Sequence, residues 1–371
     1  VKNLFFVFFI FISVTYAKYM DNHSCKECHE NIYEEFESSA HARSYFTDEL
    51  HRKVADAADK TKYECASCHM PMANNLKDLI SGKARPDKNN KTHTDAVSCY
   101  FCHTIAYVKK AHKHNINIKA RQAEGYKPTL YGRLVHPDES DKHSSVNNPV
   151  YAKNVCVGCH SHKRNDNNVT IFKAMDKNQD SEACIKCHMP EVAGGAEKMD
   201  KRARGHHASH KFLGIHDKAF RQTGVDINVS VSGTKLRVTL HNKMAHPLII
   251  QPARAKFVRV QIKRDGKVIW QNYQKNPGED KQGYFAYSFK KEGKKIIVPT
   301  TATSGTVHNL GAKSTMRLDY TIPTLQKGDH IVAGLWVQLA KSDCASAIRL
   351  EDKSLLEPVL IKEIHQTVNP R

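Results

Sequence analysis

The rhythm of apolar positions divides this chain in two. From Val225 onward, apolar and polar residues alternate in short runs: Val225–Val231, Lys235–Leu240, Phe257–Ile262 and Lys267–Trp270. A period of two sends successive side chains to opposite faces, so each run predicts a strand with one buried face. Ser232-Gly233 and Asp265-Gly266 separate consecutive runs, and Asp-Gly between alternating segments is a strong hairpin indicator. Gly283–Phe289, Lys294–Val298, Thr315–Thr321, Ile331–Leu339 and Pro358–His365 continue the pattern. Seven to nine short strands with turns between them predict a β-sandwich over residues 223–371, with an immunoglobulin-like order as one candidate. A segment of that length buries a core unaided.

Residues 18–222 lack this rhythm. They are rich in His, Lys, Asn and Cys, with few long apolar runs, a composition that ordinarily gives no core. Five copies of Cys-x-x-Cys-His change that expectation: Cys25/Cys28/His29, Cys65/Cys68/His69, Cys99/Cys102/His103, Cys156/Cys159/His160 and Cys184/Cys187/His188. This is the attachment pattern of haem c, in which two thiols add across the vinyl groups and the adjacent His becomes the proximal iron ligand. Chance would produce on the order of 0.02 such motifs in a chain of this composition. Structural zinc sites use Cys pairs two at a time and would leave one pair over. A thioredoxin-like motif occurs once, in a βαβ unit. Five covalent haems supply the apolar bulk that the residues lack. The predicted class is therefore α+β: a mostly helical and irregular multihaem domain over 18–222, short helices and long loops wrapped around closely spaced haems, followed by the all-β domain. The boundary falls near residues 217–225. Ten of the eleven cysteines are absorbed, leaving Cys344 as a small, partly buried thiol.

The N-terminus agrees with export. Lys2 precedes an apolar run from Leu4 to Val14 and then Thr15-Tyr16-Ala17, the order of a secretory signal over residues 1–17 cleaved near Ala17. No later stretch approaches the ~20 apolar residues of a membrane span. A periplasmic location is expected, because haem is attached after export. The formal charge of +19, from 57 basic and 38 acidic residues, falls towards about +9 once ten propionates are counted. Positive surface remains around Lys109–Lys119, Lys198–Lys211 and Lys290–Lys295. In an exported haem protein this favours an acidic redox partner or a membrane-bound quinol dehydrogenase over nucleic acid.

Function turns on the sixth position of each iron. A second His gives a saturated haem suited to electron transfer, whereas an open position admits substrate. Cys28-His29 followed by Ser38-Ser39-Ala40-His41-Ala42, two Cys-His-Met-Pro elements at Cys68–Pro71 and Cys187–Pro190, and His210-Lys-Phe-Leu-Gly214 carry a resemblance. Over roughly residues 22–216 the chain resembles the multihaem cytochromes c related to the tetrahaem cytochrome that accepts electrons from hydroxylamine oxidoreductase. The resemblance implies His41 and His210 as distal ligands. His93 and His143 lie upstream of the third and fourth motifs, where a segment can cross a haem face. The fifth ligand is open among His112, His114, His136, His162, His206, His207, His216 and His246, with His136 favoured. Met70 and Met189 follow proximal histidines too closely to turn back and read as packing residues.

All five motifs end in His, so none matches the Cys-x-x-Cys-Lys variant of pentahaem nitrite reductases. The favoured function is a periplasmic electron carrier of anaerobic respiration, between a quinol-oxidising complex and a terminal reductase or extracellular acceptor. The alternative is an oxidoreductase acting on nitrite, hydroxylamine or sulfite at one five-coordinate haem, with Lys109, Lys110, His112 and His114 as an anion-binding cluster. An assembly subunit is a third class.

Overall fold

The computed structural model describes residues 19–59, 62–122, 126–153, 155–175, 182–195 and 204–368. The leader expected over 1–17 and the basic residues 198–203 lie outside them. Among the described residues, no helix is long and apolar enough to cross a membrane.

Each attachment motif winds into about one helical turn. Helices run Asn22–Lys26, Ala66–His69, Cys99–His103, Val157–His160 and Glu182–His188. Two of them are capped by side chains: Asp21 accepts from the Ser24 amide at 2.7 Å and Ser98 from the Phe101 amide at 3.1 Å. The turn has a purpose. Positions i and i+3 share a face of a helix, so both sulfurs reach one porphyrin edge while the next residue swings beneath it. The His29, His69 and His160 amides each bond back to the carbonyl of the first Cys, at 2.9, 3.0 and 3.0 Å.

Between the motifs lie helices Glu30–Glu37, Glu49–Ala58 and Leu76–Ser81. Among the described residues there are also four two-stranded ribbons that the sequence pattern did not predict. They pair β1 (Ile105–Lys109) with β2 (Ile116–Lys119), β3 (Thr129–Gly132) with β4 (Ser144–Asn147), β5 (His162–Arg164) with β6 (Thr170–Lys173), and β7 (Glu191–Ala193) with β8 (His206–Ala208). Strands of three to five residues are too short to display a period. Tyr63, Ala66, Met70 and Leu79 form a small, fully buried cluster beside the second motif. Met70 thus packs, as its position after His69 required.

From Val225 the chain forms ten strands: β9 (Val225–Ser232), β10 (Lys235–Asn242), β11 (Ala255–Arg264), β12 (Lys267–Gln271), β13 (Tyr284–Lys291), β14 (Lys294–Ile296), β15 (Ser304–His308), β16 (Thr315–Thr321), β17 (His330–Gln338) and β18 (Val359–Thr367). β16-β10-β9 make one antiparallel sheet. The second runs β14-β13-β11-β17-β18, with β12 added to β11 and β15 to β13. Leu236, Leu240, Val260, Ile262, Phe285 and Leu335, all fully buried, fill the core between them. The three-and-seven division differs from the splits of immunoglobulin domains. β15 escaped the sequence reading because every residue in it is exposed, so no alternation marks it. Asp265 and Gly266 turn the β11–β12 hairpin with φ of 47° and 76°, the positive pair that a tight two-residue turn requires.

The sandwich is docked on the haem-motif region at three places. Leu50, on helix Glu49–Ala58, is buried against Ala340, Cys344, Ala345 and Ile348. The Asn165 amide donates to the carbonyls of Pro299 and Ala302 at 3.0 and 2.8 Å. Arg221 donates through Nε to the Leu360 carbonyl at 2.8 Å. Cys344 is buried in the first of these contacts, and burial pushes its thiol up.

Phe285 occupies the sandwich core with no exposed surface. Phe285→Ala should destabilise the sandwich by roughly 3–5 kcal/mol, read as a lower urea midpoint in far-ultraviolet circular dichroism.

Candidate functional site

A cavity of about 2260 Å³ runs through the first half of the molecule and reaches the sandwich. All ten motif cysteines line it, as do the five proximal histidines and His41, His51, His143, His210 and His246. Those last five matter because of where their rings lie. His143 faces His29 with centroids 6.1 Å apart, His51 faces His69 at 4.9 Å, and His210 faces His103 at 6.3 Å. His41 faces His160 at 5.9 Å, and His246 faces His188 at 6.3 Å. Metal–imidazole bonds are about 2 Å long, so two rings sharing one metal have centroids roughly 6 Å apart. Four pairs meet that spacing, and the His51–His69 pair is somewhat tighter.

Second partners fix which ring nitrogen turns inward. Nδ1 of His69 donates to the Ser44 carbonyl at 2.9 Å and Nδ1 of His103 to the Tyr131 carbonyl at 2.7 Å. Nδ1 of His188 bonds the Leu213 carbonyl. On the facing side, Nδ1 of His210 donates to the Ala208 carbonyl and Nδ1 of His246 to the Pro247 carbonyl, both at 2.9 Å. Nδ1 of His51 bonds the Asp48 carboxylate at 2.5 Å. Holding the proton on Nδ1 leaves Nε2 as a lone-pair donor, the tautomer a metal needs. Burial works the same way by disfavouring imidazolium. It pulls His41 down to about 3 and His69, His210 and His246 to about 4.

His41 is held differently. Its Nδ1 is buried without a hydrogen-bond partner among the described residues, and its ring sits edge-on to Phe212 with centroids 4.4 Å apart. The same Phe212 ring lies edge-on to His210 at 5.9 Å. Phe212 adopts a φ of 49°, which a bulky residue rarely tolerates. That backbone strain seats one aromatic wedge against two facing histidines, which explains the spacing in His210-Lys211-Phe212.

Two histidines singled out from the sequence lie elsewhere. His93 is buried, but its Nδ1 accepts from the Asp87 amide at 3.0 Å and its Nε2 bonds Asn75 Oδ1 at 2.7 Å. With both nitrogens engaged it has none to offer a metal, and it is not among the cavity-lining residues. His136 is exposed on the loop after β3 and also stands outside the cavity lining. Nearness to a motif along the chain did not translate into nearness to its porphyrin face. The residues facing His69 and His188 are instead His51, which the sequence reading passed over, and His246, which it left among many alternatives. Asp48 three residues before His51 was the only local sign, an acid able to orient the ring. His112 and Lys109–Lys110 are exposed, and His112 Nε2 bonds Asn168 Oδ1 at 2.7 Å.

The motifs also touch one another. The Cys25 side chain lies against Cys99, Cys68 against Cys159, and Cys156 against Cys184. Attachment points of the first and third, second and fourth, and fourth and fifth motifs are therefore adjacent. Cys102 lies close enough to Cys156 and Cys159 to act on both electrostatically, which joins the two groups. The donor set, the inward Nε2 atoms and the continuous cavity fit haem c. Haem bound there would supply one-electron iron chemistry, while the chain supplies thiols, imidazoles and spacing.

Comparison with known proteins agrees. Residues 24–104 match the family model described as cytochrome c554 and c-prime. The solved structure of a penta-heme cytochrome c552 from Thermochromatium tepidum is similar with a TM-score of 0.74 and 21% identity, over 94% of this chain and 99% of that one. A superoxide reductase structure in the oxidised state aligns over 31% of this chain and 78% of its own, at 11% identity and a TM-score of 0.16, too low to carry an argument. No curated protein matches the sequence. With its five Cys-x-x-Cys-His turns, its facing imidazoles and this likeness, the chain shares the fold of a multihaem cytochrome c.

Proposed function

We propose that this protein carries five covalently attached haems c, each held between two histidines, and passes single electrons along them. The observation that carries the reading is the set of five facing ring pairs: His29/His143, His69/His51, His103/His210, His160/His41 and His188/His246. Two imidazole ligands saturate an iron and leave exchange of electrons as its chemistry. Adjacent cysteines of different motifs bring porphyrin edges together, so an electron entering at one haem has a neighbour to move to. The oxidoreductase alternative needs an iron with an open side, and no observation favours it.

The wider reading is a periplasmic carrier of anaerobic respiration, exported by the 1–17 leader and related to the tetrahaem electron acceptor of hydroxylamine oxidoreductase. It would exchange electrons with a quinol-oxidising complex and with a reductase or external acceptor. In this reading residues 18–222 form the haem domain, and residues 223–371 form a sandwich that contributes the last axial ligand.

Electron paramagnetic resonance of the oxidised holoprotein, quantified against total haem, tests the core of the proposal. Every haem should be low-spin, and the reduced protein should leave carbon monoxide unbound. A high-spin signal near one-fifth of the total would refute full axial saturation. His246→Gly should open a single haem, seen as carbon monoxide binding to about one-fifth of the haem in a sample that retains all five. His93→Ala should keep every haem low-spin while lowering stability by roughly 1–3 kcal/mol through the lost Asn75 and Asp87 bonds, measured by chemical denaturation.

A further inference from the structure

The sandwich brings two cations into the haem cavity. Ala255, at the start of β11, points into the protein core with no exposure, and strand alternation turns its neighbours Arg254 and Lys256 the other way. Both line the cavity. The Lys256 ammonium donates to the Leu248 carbonyl at 2.5 Å and lies in the field of Arg254, a like charge. Among the described residues neither makes an ion pair with a carboxylate. Asp48 attracts Arg254 from a distance, yet its own oxygens already accept from the His51 amide and ring at 3.0 and 2.5 Å. Two half-buried cations of like charge, with one carbonyl acceptor on Lys256, are costly, because a desolvated charge needs a counter-charge and full hydrogen bonding. Burial accordingly pulls the Lys256 ammonium down to about 7. A carboxylate beside the pair would meet that need, and Arg offers a two-pronged fork for it.

Lys256 also acts electrostatically on His246, the ring facing His188. The Leu248 carbonyl that Lys256 bonds is two residues from His246, which places Lys256 beside the fifth attachment site, with Arg254 two residues away in the fields of both Lys256 and Asp48. We propose that Arg254 and Lys256 form a carboxylate-binding site that clamps a propionate of the haem attached at Cys184 and Cys187. The inference rests on the axial pairing of His188 with His246 proposed above. A positive pair beside this haem stabilises its ferrous form, which carries one charge less, so the sandwich raises the fifth haem's potential as well as ligating it. A free oxyanion such as phosphate has the same recognition chemistry and is the alternative source of the ligand.

Redox titration of the holoprotein distinguishes the two, using wild type, Lys256→Gln and Arg254→Gln with haem content verified for each. In each variant one of five midpoint potentials should fall by the equivalent of about a tenfold change in its reduced-to-oxidised ratio, 59 mV for one electron. The other four should stay in place, and the wild-type values should be indifferent to phosphate at constant ionic strength. Five unchanged potentials in both variants would overturn the site, and a wild-type potential that follows phosphate would assign it to a free anion instead. Spin state, recorded on the same samples, reports separately on the axial pairing. Infrared redox-difference spectra of wild type with carbon-13 in the haem propionates provide a test without substitution. A shifted, hydrogen-bonded carboxylate band is the expected result, and bands of solvated carboxylates alone would contradict the clamp.

Discussion

Five pairs of imidazole rings with centroids 4.9 to 6.3 Å apart are the constraint on which this molecule is organised. Two such rings gain little from each other at that separation. The spacing makes sense as the sum of two metal–nitrogen bonds and two ring radii, so under the proposed pairing the fold is built to the dimensions of its cofactors. The small turns at each motif, the Nδ1 bonds to carbonyls and the Phe212 wedge between His41 and His210 all serve to hold those separations. The apolar cluster of Tyr63, Met70 and Leu79 is small, and the porphyrins supply the remaining interior of this half.

The second half obeys ordinary rules. Its two sheets close over a core of aliphatic and aromatic side chains, and it would be unremarkable as a domain except for where it sits. It presents His246 to His188, backs the helix that carries His51 through Leu50, and turns Arg254 and Lys256 into the shared cavity. Lys53 on that helix reinforces the contact by bonding Glu351 at 3.0 Å, and Glu49 accepts from the Asp352 amide at 2.7 Å. Two of the five facing histidines therefore depend on the sandwich, one directly and one through a helix. Under the proposed pairing, the sandwich is part of the redox site.

Much of this was legible in the sequence, and the exceptions have physical reasons. A covalent motif is local, so all ten attachment cysteines and the five proximal histidines were read at once. Strand alternation is local too, which is why β9 to β14 and β16 to β18 could be anticipated while β15, exposed on every residue, could not. The facing histidine is a tertiary property. His41 and His210 were named through a resemblance and His143 through its place upstream of a motif, and each lies opposite a proximal ring. His93 satisfied the same rule of sequence proximity, yet its two nitrogens are spent on Asn75 and Asp87. His51 had Asp48 as its only sign, and His246 belongs to a segment whose pattern announces a β-sheet. No periodicity encodes which loop of one half brings its imidazole opposite a ring of the other.

The distribution of these histidines along the chain has a consequence for assembly. Under the proposed pairing, every iron joins a cysteine-anchored segment to a distant one and closes a loop much as a cross-link does, with an entropic cost that rises slowly with loop length. Four of the loops close within the first 210 residues. The fifth waits for His246, at the start of a domain whose own strands pair as far along as β18. A chain emerging from its N-terminus can thus acquire its thioether bonds in order, but under the proposed pairing the last iron gains its second ligand from the connection between β10 and β11. Completion of the fifth haem is in effect a report that the chain has reached its second half.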